Sequence, residues 1–167
     1  RPIDAIKAKI YLKQGRLSNA QEWVREHGFS VDDDLSYLRE FEHITLARVL
    51  LAEYQVNRKE RIIQDTLSLL KRLLKAAEDQ KRMGSILEIL IVTALAYHAL
   101  DNTSQAFASL ERALTLAHPE GYFRIFVNES EPMRSLLLDF GGSIEKQPRG
   151  KDQELYGYLE KLLSALA

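Results

Sequence analysis

Two stretches of the chain repeat one spacing of small and aromatic residues: Ala8-Lys-Ile-Tyr11-Leu-Lys-Gln-Gly15-Arg-Leu-Ser-Asn-Ala20 and Ala94-Leu-Ala-Tyr97-His-Ala-Leu-Asp101-Asn-Thr-Ser-Gln-Ala106. The small residue and the tyrosine are three apart, so they share one helix face. Gly15 and Asp101 suit a turn, and the last alanine lies where a second helix approaches closely. The pattern predicts a helical hairpin used at least twice. Such hairpins stack into a solenoid that offers an extended binding surface.

Composition is that of an ordinary globular chain. The 167 residues are 46% hydrophobic and 28% charged, which is enough for one sizeable core. The net charge of −1 provides no global field for nucleic acid or an anionic membrane. Cysteine is absent, which excludes disulfides and thiolate chemistry and is compatible with a reducing compartment. The most apolar stretch, Ile86 to Leu100, is too short and too interrupted to span a bilayer.

Nearly all of the chain is predicted to be helical, because apolar residues recur at helical spacing and no long alternating pattern is present. Ser18 is a plausible cap for the second helix, and Pro119 with Gly121 is expected to end the sixth. The fourth helix is strongly amphipathic, with an apolar stripe of Ile62, Ile63, Leu67, Leu70, Leu74 and Ala77. The predicted helices are Pro2–Gln14, Ser18–His27, Ser36–Gln55, Lys59–Asp79, Ser85–Leu100, Ser104–Ala117, Glu131–Phe140 and Gln153–Ala167.

Three segments are expected along the chain. Residues 1–140 form a helical repeat domain, and residues 141–152 form a linker rich in glycine, proline and charge. Residues 153–167 form a C-terminal amphipathic helix. The middle hairpin is less regular, because Leu50 replaces the tyrosine that would follow Ala47. The chain starts at Arg1, already within a helical pattern, so we expect a fragment of a larger protein.

An ordered set of segments resembles one protein family. Together they are similar to the tetratricopeptide-like (TPR-like) sensor region of the large ATP-dependent LuxR-type transcription regulators, the relatives of the maltose-regulon activator. The similarity extends over roughly Arg1 to Phe140, and the block from Pro119 to Met133 is its most specific part. The segments are Leu46–Ala52, Gly84–Ile91, Ala94–Tyr97, Ala106–Ala117, Pro119–Glu129 and Glu131–Met133.

The resemblance implies an all-α, right-handed superhelical solenoid of TPR-like hairpins. In that family an ATP-binding switch domain precedes the sensor and a helix-turn-helix domain follows it. The 167 residues contain neither a phosphate loop nor a DNA-binding helix-turn-helix domain. We therefore expect a non-enzymatic, cofactor-free, cytoplasmic sensor that binds a small-molecule or protein effector and controls self-association. It should not bind DNA or membranes itself. The alternative is a TPR scaffold that binds a short peptide or protein partner and has no role in transcription.

Lys9 and Arg48 are candidates for a ligand or partner groove. They follow Ala8 and Ala47, so they occupy equivalent positions if the first two hairpins align, and Lys13 lies one turn beyond Lys9. In TPR folds the first helix of each hairpin lines the concave groove. The three cations are expected to pair with a carboxylate or phosphate. The competing interpretation is a solvated helix face.

Glu88 and His98 complete the candidate groove, because they interrupt the otherwise apolar fifth helix. Charged groups are rarely buried without partners. The alternative for each is a place at the helix edge or in a satisfied core hydrogen bond. No metal site is predicted, since His27, His43, His98 and His118 show no ligand spacing.

The run Asp32-Asp33-Asp34 lacks the spacing and the glycine turn of a calcium loop. A solvated loop that caps the third helix is the favoured interpretation. Two apolar clusters remain open. Tyr122, Phe123, Ile125 and Phe126 either form a docking surface or cover the end of the solenoid. The C-terminal leucine stripe (Leu155, Leu159, Leu162, Leu163 and Leu166) either folds back as a cap or pairs between chains.

Overall fold

A computed structural model describes residues 2–145 and 152–167, and all the regular structure in these residues is helical. A single 3₁₀ turn, Tyr37–Arg39, precedes the third α-helix. The α-helices are α1 (Pro2–Lys13), α2 (Leu17–His27), α3 (Glu40–Asn57), α4 (Glu60–Asp79), α5 (Met83–Ala99), α6 (Thr103–Glu120), α7 (Arg124–Val127), α8 (Met133–Glu145) and α9 (Asp152–Leu166).

The two repeated stretches fold as the spacing predicts. Gly15 and Asp101 both have left-handed backbone, with φ of +74° and +61°. At each of these turns, the backbone N–H of the next residue donates to the tyrosine carbonyl. The distances are 2.8 Å to Tyr11 and 2.9 Å to Tyr97. This is a Schellman ending, which satisfies carbonyls that would otherwise lack partners at the end of a helix.

The first compact unit runs to Val92 and holds α1 to α4 with most of α5. Its helices approach one another at small residues, and Ala5, Ala8, Ala20 and Ala47 have no exposed surface. Such residues allow two backbones to lie close together without a cavity. Two hairpins therefore stack, with α1 and α2 packed on α3.

The buried stripe of α4 is rotated from the predicted one. Ile63, Leu70 and Ala77 are buried as expected, whereas Ile62, Leu67 and Leu74 are only partly buried. The centre of the face is occupied by Thr66, which has no exposed surface. Its hydroxyl donates to the carbonyl of Ile62 at 2.7 Å, so a polar residue is satisfied in the core. A pattern of apolar residues alone therefore misplaces this face.

The second unit extends from Thr93 to the C-terminus. In it, α9 packs against α6, α7 and α8 and buries Leu159 and Leu162 completely. Tyr158 directly precedes Leu159. The centroid of its ring lies 4.9 Å from that of His118 and 6.3 Å from that of Phe126. Its hydroxyl donates to the carbonyl of Tyr122, and burial raises the pKa of Tyr158 to about 12. The leucine stripe thus folds back as a cap.

Two residues that were predicted to mark helix ends, Ser18 and Pro119, do not do so. Ser18 does not cap α2, since the helix starts at Leu17 and Arg16 precedes it. Gly121 ends α6 as expected, with a φ of +73°, whereas Pro119 lies inside the helix, which continues to Glu120. A proline in the last turn removes one hydrogen bond, and the Schellman bonds at Gly121 still close the helix.

The predicted linker over 141–152 is also wrong at its start. Gly141 and Gly142 lie inside α8, which ends at Glu145. A Cβ atom built at Gly141 would lie 3.0 Å from Cδ2 of Leu159, so α9 approaches α8 at this residue. The glycine therefore serves close packing rather than chain flexibility. Residues 146–151 lie outside the described part of the chain.

The predicted all-α fold of TPR-like hairpins is confirmed, since the described residues contain helices joined by tight turns and no strand. Whether residues 153–167 form a segment separate from the helical repeat domain stays a prediction.

The two adjacent glycines of α8 provide a matched pair. We expect Gly141→Leu to lower the free energy of unfolding by about 1–3 kcal/mol, because the added side chain meets Leu159. Gly142→Leu should be neutral or stabilising by up to about 0.8 kcal/mol, since its Cβ has open space and glycine disfavours helix. Urea denaturation measures both variants, and equal effects would contradict the close approach at Gly141.

Candidate functional site

One carboxylate joins the first helices of three successive hairpins. Glu88 on α5 lies 3.0 Å from Nη2 of Arg48 on α3, measured to Oε2, and Nε of Arg48 donates to the same oxygen at 3.3 Å. Nζ of Lys9 on α1 lies 3.5 Å from that oxygen. We call Lys9, Arg48 and Glu88 the inner-helix cluster.

The inner-helix cluster lies at the boundary between core and solvent. Each member directly follows a residue with no exposed surface, namely Ala8, Ala47 and Leu87. The side chains of Lys9, Arg48 and Glu88 are 33%, 13% and 18% exposed. Ion pairs at such positions are less screened than surface pairs. The cluster therefore both ties the helices together and remains accessible to a solute.

The other two predicted groove residues lie elsewhere. Lys13 is exposed one turn beyond Lys9, and the contacts to the Glu88 carboxylate come from Lys9 and Arg48. His98 is partly buried near the end of α5, in the second unit. The structure thus brings together three of the five residues that the sequence identified as a groove.

A second cluster escaped the sequence prediction. Arg82, just before α5, donates through Nε and Nη2 to the carboxylate of the buried Glu40, and Ser85 donates to it as well. The Arg82 guanidinium also lies 4.9 Å from the ring centroid of Tyr37. Hydrogen bonding to Glu40 raises the pKa of Arg82, so its charge is permanent. This cluster fastens the start of α5 to α3.

One signal could have found both clusters. Arg48 and Glu88 are 40 residues apart, and Glu40 and Arg82 are 42 apart. Both separations are close to the 39 residues between Ala8 and Ala47. Oppositely charged residues one repeat apart face each other when repeats stack, because each repeat contacts only its neighbours.

The aspartate run has a structural role that differs from the predicted cap. The Asp33 carboxylate contacts Nε2 of the fully buried His43 at 3.1 Å and accepts from the Ser30 N–H at 3.0 Å. Arg72 on α4 donates to the backbone carbonyls of Val31 and Asp33. Because α3 begins only at Glu40, Asp33 stabilises the loop rather than caps the helix. Among the described residues, no group of acids and histidines could hold a metal ion.

Opposing effects act on the Asp33 carboxyl. Burial raises its pKa, but the Ser30 N–H, the hydrogen bond and charge of His43 and the charge of Arg39 together lower it. The net result is a pKa below the ordinary value for aspartate. Asp33 is therefore held in its charged form within the loop.

An open cleft of about 250 Å³ lies between α1 and α2. Its lining includes Trp23, a buried residue whose indole N–H has no hydrogen-bond partner within the described part of the chain. On its wall, His27 on α2 approaches Asp4 on α1, with 3.4 Å between Nε2 and Oδ2. The sequence prediction missed this cleft. The remaining lining residues are Lys7, Tyr11, Asn19, Glu22 and Glu26.

The family model of the MalT-like TPR region matches residues 1–140. The chain belongs to this family. Comparison with curated proteins gives no match, and comparison with solved structures gives none either.

The MalT-like TPR region therefore accounts for α1 to α7 and for more than half of α8. It contains the whole inner-helix cluster, and membership of the family makes the chain a TPR-type interaction region. None of the helices in the described residues combines the length and the apolar character needed to cross a bilayer.

Removing the Glu88 carboxylate should destabilise the MalT-like region. We expect Glu88→Ala to lower the free energy of unfolding by about 1–3 kcal/mol, because it leaves two partly buried cations without their shared partner. Asp79→Ala is the control, since the exposed Lys75–Asp79 pair at 3.8 Å should contribute less than about 0.5 kcal/mol. Urea denaturation measures both, and a Glu88 effect no larger than the control would contradict a structural link.

The Asp33 contact should make stability depend on acid pH. A carboxyl with a lowered folded pKa contributes stability above its unfolded pKa, about 3.9, and loses it as the pH falls through the folded pKa. At pH 7 we expect Asp33→Asn to be less stable than the parent chain. The difference should narrow below about pH 4. Denaturant unfolding between pH 7 and pH 2 tests this, with the exposed Asp34→Asn as the control. A constant difference at all pH values would exclude an ionic contribution.

Proposed function

We propose that this TPR region is the effector-sensing and self-association part of a cytoplasmic LuxR-type transcription regulator, and that it has no catalytic activity of its own. Membership of the MalT-like family supports the proposal. In such a regulator the neighbouring domains would bind ATP and DNA, and this region would control their activity.

The observation that carries the proposal is the inner-helix cluster. Its single carboxylate accepts contacts from two cations on two other helices, at a partly exposed position. An effector with a carboxylate or phosphate group would compete with Glu88 for Arg48 and Lys9. Arginine suits such an anion because its planar donors match two oxygens at once.

Access to the cluster would be through Lys9, its most exposed member. The Lys9 ammonium lies 5.9 Å from the centroid of the Phe41 ring, so an apolar surface adjoins the charge. A ligand with an anionic group and an apolar body would therefore contact both. This combination of a few polar groups on an apolar wall is typical of small-molecule sites.

Binding would change how the hairpins are tied. Glu88 is on α5, whereas its partners are on α1 and α3, so displacing the carboxylate would release the ionic contacts that Glu88 makes with both helices. A ligand shifts a conformational equilibrium by as much as its affinities for the two states differ. We propose that the released state favours self-association of the regulator.

A binding experiment on the purified chain separates the roles of the three residues. The probes are inorganic phosphate and succinate, and the readout is amide chemical-shift change on titration. Arg48→Gln and Lys9→Gln should weaken binding about tenfold or more, since each removes a charged partner. Glu88→Gln should strengthen it, because the competing carboxylate is gone. Lys75→Gln, on an exposed part of α4, is the control. The same affinity in all four variants would contradict the location of the site.

A test of the role in transcription requires the full-length protein. If its coding sequence places a phosphate loop before this region and a LuxR-type helix-turn-helix after it, effector-dependent transcription can be measured with Lys9→Glu and Arg48→Glu. Both variants should lose the response, while Lys75→Glu should keep it. Saturable binding of acidic C-terminal peptides to a protein without these domains would favour the peptide-binding scaffold instead.

A further inference from the structure

The turns within the first two hairpins concentrate positive charge. Residues 11–17, which include the turn between α1 and α2, and residues 54–61, which include the turn between α3 and α4, contain five cations and a single acid, Glu60. The chain as a whole has a net charge of −1, so its charge is distributed unevenly. All five cations are exposed. We call them the basic edge: Lys13, Arg16, Arg58, Lys59 and Arg61.

The two turns are neighbours in space. Gln21, five residues beyond Arg16, donates from Nε2 on α2 to Oε2 of Glu53 on α3 at 3.2 Å, and Glu53 lies five residues before Arg58. An α-helix rises about 1.5 Å per residue, so each turn is about 8 Å along its helix from this one hydrogen bond. Packed helices lie about 8–10 Å apart. The basic edge is therefore one surface that spans both turns.

In each turn an arginine lies over a tyrosine. Cζ of Arg16 is 4.7 Å from the centroid of the Tyr11 ring, and Cζ of Arg58 is 5.1 Å from that of Tyr54. Attraction between the cation and the face of the ring restrains the guanidinium. A guanidinium held by its face keeps its N–H groups at its edge, where they can donate to both oxygens of a carboxylate. Two successive hairpins thus present the same prepared anion contact.

The contacts of the basic edge within the chain include weak, exposed ones. Nη1 of Arg16 lies 3.4 Å from Oε1 of Gln14, and Nε of Arg61 lies 3.9 Å from Oδ2 of Asp65. The Arg61 and Asp65 side chains are 91% and 44% exposed, and such pairs contribute less than about 1 kcal/mol. In the inner-helix cluster, by contrast, the carboxylate is only 18% exposed. A partner can therefore replace these contacts of the basic edge without loosening the fold.

An exposed apolar side chain lies within the basic edge. Val56 is 74% exposed and falls midway between Tyr54 and Arg58 in the sequence. A polymer of phosphate groups could neutralise the cations but has no apolar side chain to cover this valine. A polypeptide can supply carboxylates and apolar side chains together. The combination of stacked arginines and an exposed valine therefore favours a protein partner over a phosphate polymer.

We propose that the basic edge binds an acidic segment of a partner protein, one that carries an apolar residue among its carboxylates. The carboxylates pair with Arg16 and Arg58, and the apolar residue covers Val56. This surface is distinct from the inner-helix cluster, because Arg48 lies ten residues before Arg58 on α3, about 15 Å along the helix. An effector at the cluster and a protein at the edge therefore do not compete for the same cations.

A labelled peptide tests the surface on the 167-residue chain. The probe is acetyl-Glu-Glu-Leu-Glu-Glu-Leu-Glu-Glu-amide, whose blocked ends exclude recognition of a terminal carboxylate, and the readout is fluorescence anisotropy. We expect saturable binding that weakens at least tenfold in the double variant Arg16→Gln, Arg58→Gly. Glycine suits the left-handed backbone of residue 58, where φ is +58°, so this variant keeps the turn. The control removes the same charge from the exposed face of α4 with Lys71→Gln and Lys75→Gln, and should bind within twofold of the parent chain.

Further variants and probes distinguish the rival explanations. Val56→Ser should weaken binding of the peptide about threefold, and should leave binding of a peptide with serine in place of leucine unchanged. Arg48→Gln should bind the peptide as the parent chain does, whatever its effect on succinate. A loss of peptide binding in Arg48→Gln would locate the peptide at the inner-helix cluster and overturn the proposal. Absence of binding, equal losses in the edge variant and the α4 control, or tighter binding of inorganic polyphosphate of matched charge would overturn it as well.

Discussion

Close approach of helix backbones at small residues is the constraint on which this structure depends. Ala8, Ala20, Ala94 and Ala106, the small residues of the repeated spacing, all have no exposed surface. A larger side chain at any of them would push two helices apart, and close-packed interiors have little room to absorb such a change. The hairpin angle and the stacking of one hairpin on the next follow from these contacts. Gly141 applies the same rule to α8 and α9 with a still smaller residue.

Close stacking also explains why charged residues can meet across hairpins. Lys9, Arg48 and Glu88 reach one another only because the buried residues just before them hold α1, α3 and α5 close together. The same stacking brings Arg82 to Glu40 and Arg72 to the loop after α2. Polar links between repeats are thus a product of the packing. A change in one link therefore affects the helices on both sides of it, as the proposed sensing role requires.

The sequence predicted helices and turns well because those depend on neighbouring residues. Gly15, Asp101 and Gly28 end helices through local backbone hydrogen bonds. The predicted ends of α4 agree with the observed ends to within one residue. The sequence predicted contacts between distant residues poorly. Lys9, Arg48 and Glu88 were identified as polar residues of one groove, but the Glu88 oxygen that they share is contacted by residues 40 and 79 positions away in the sequence. Thr66 was missed in the core because its hydroxyl is satisfied by its own helix, and Gly141 was taken for a linker because its neighbour Leu159 is distant in sequence.

Trp23 is the only tryptophan of the chain, and it is buried in the first hairpin, 4.9 Å from Phe29. The intrinsic fluorescence of the protein excited above the tyrosine band therefore reports on the α1–α2 hairpin and its contacts with α3. Far-ultraviolet circular dichroism, in contrast, reports on all the helices at once. When the two signals are followed together during unfolding, their coincidence or separation shows whether the chain melts as one cooperative body or hairpin by hairpin. Trp23 is thus a built-in optical label for the α1–α2 hairpin.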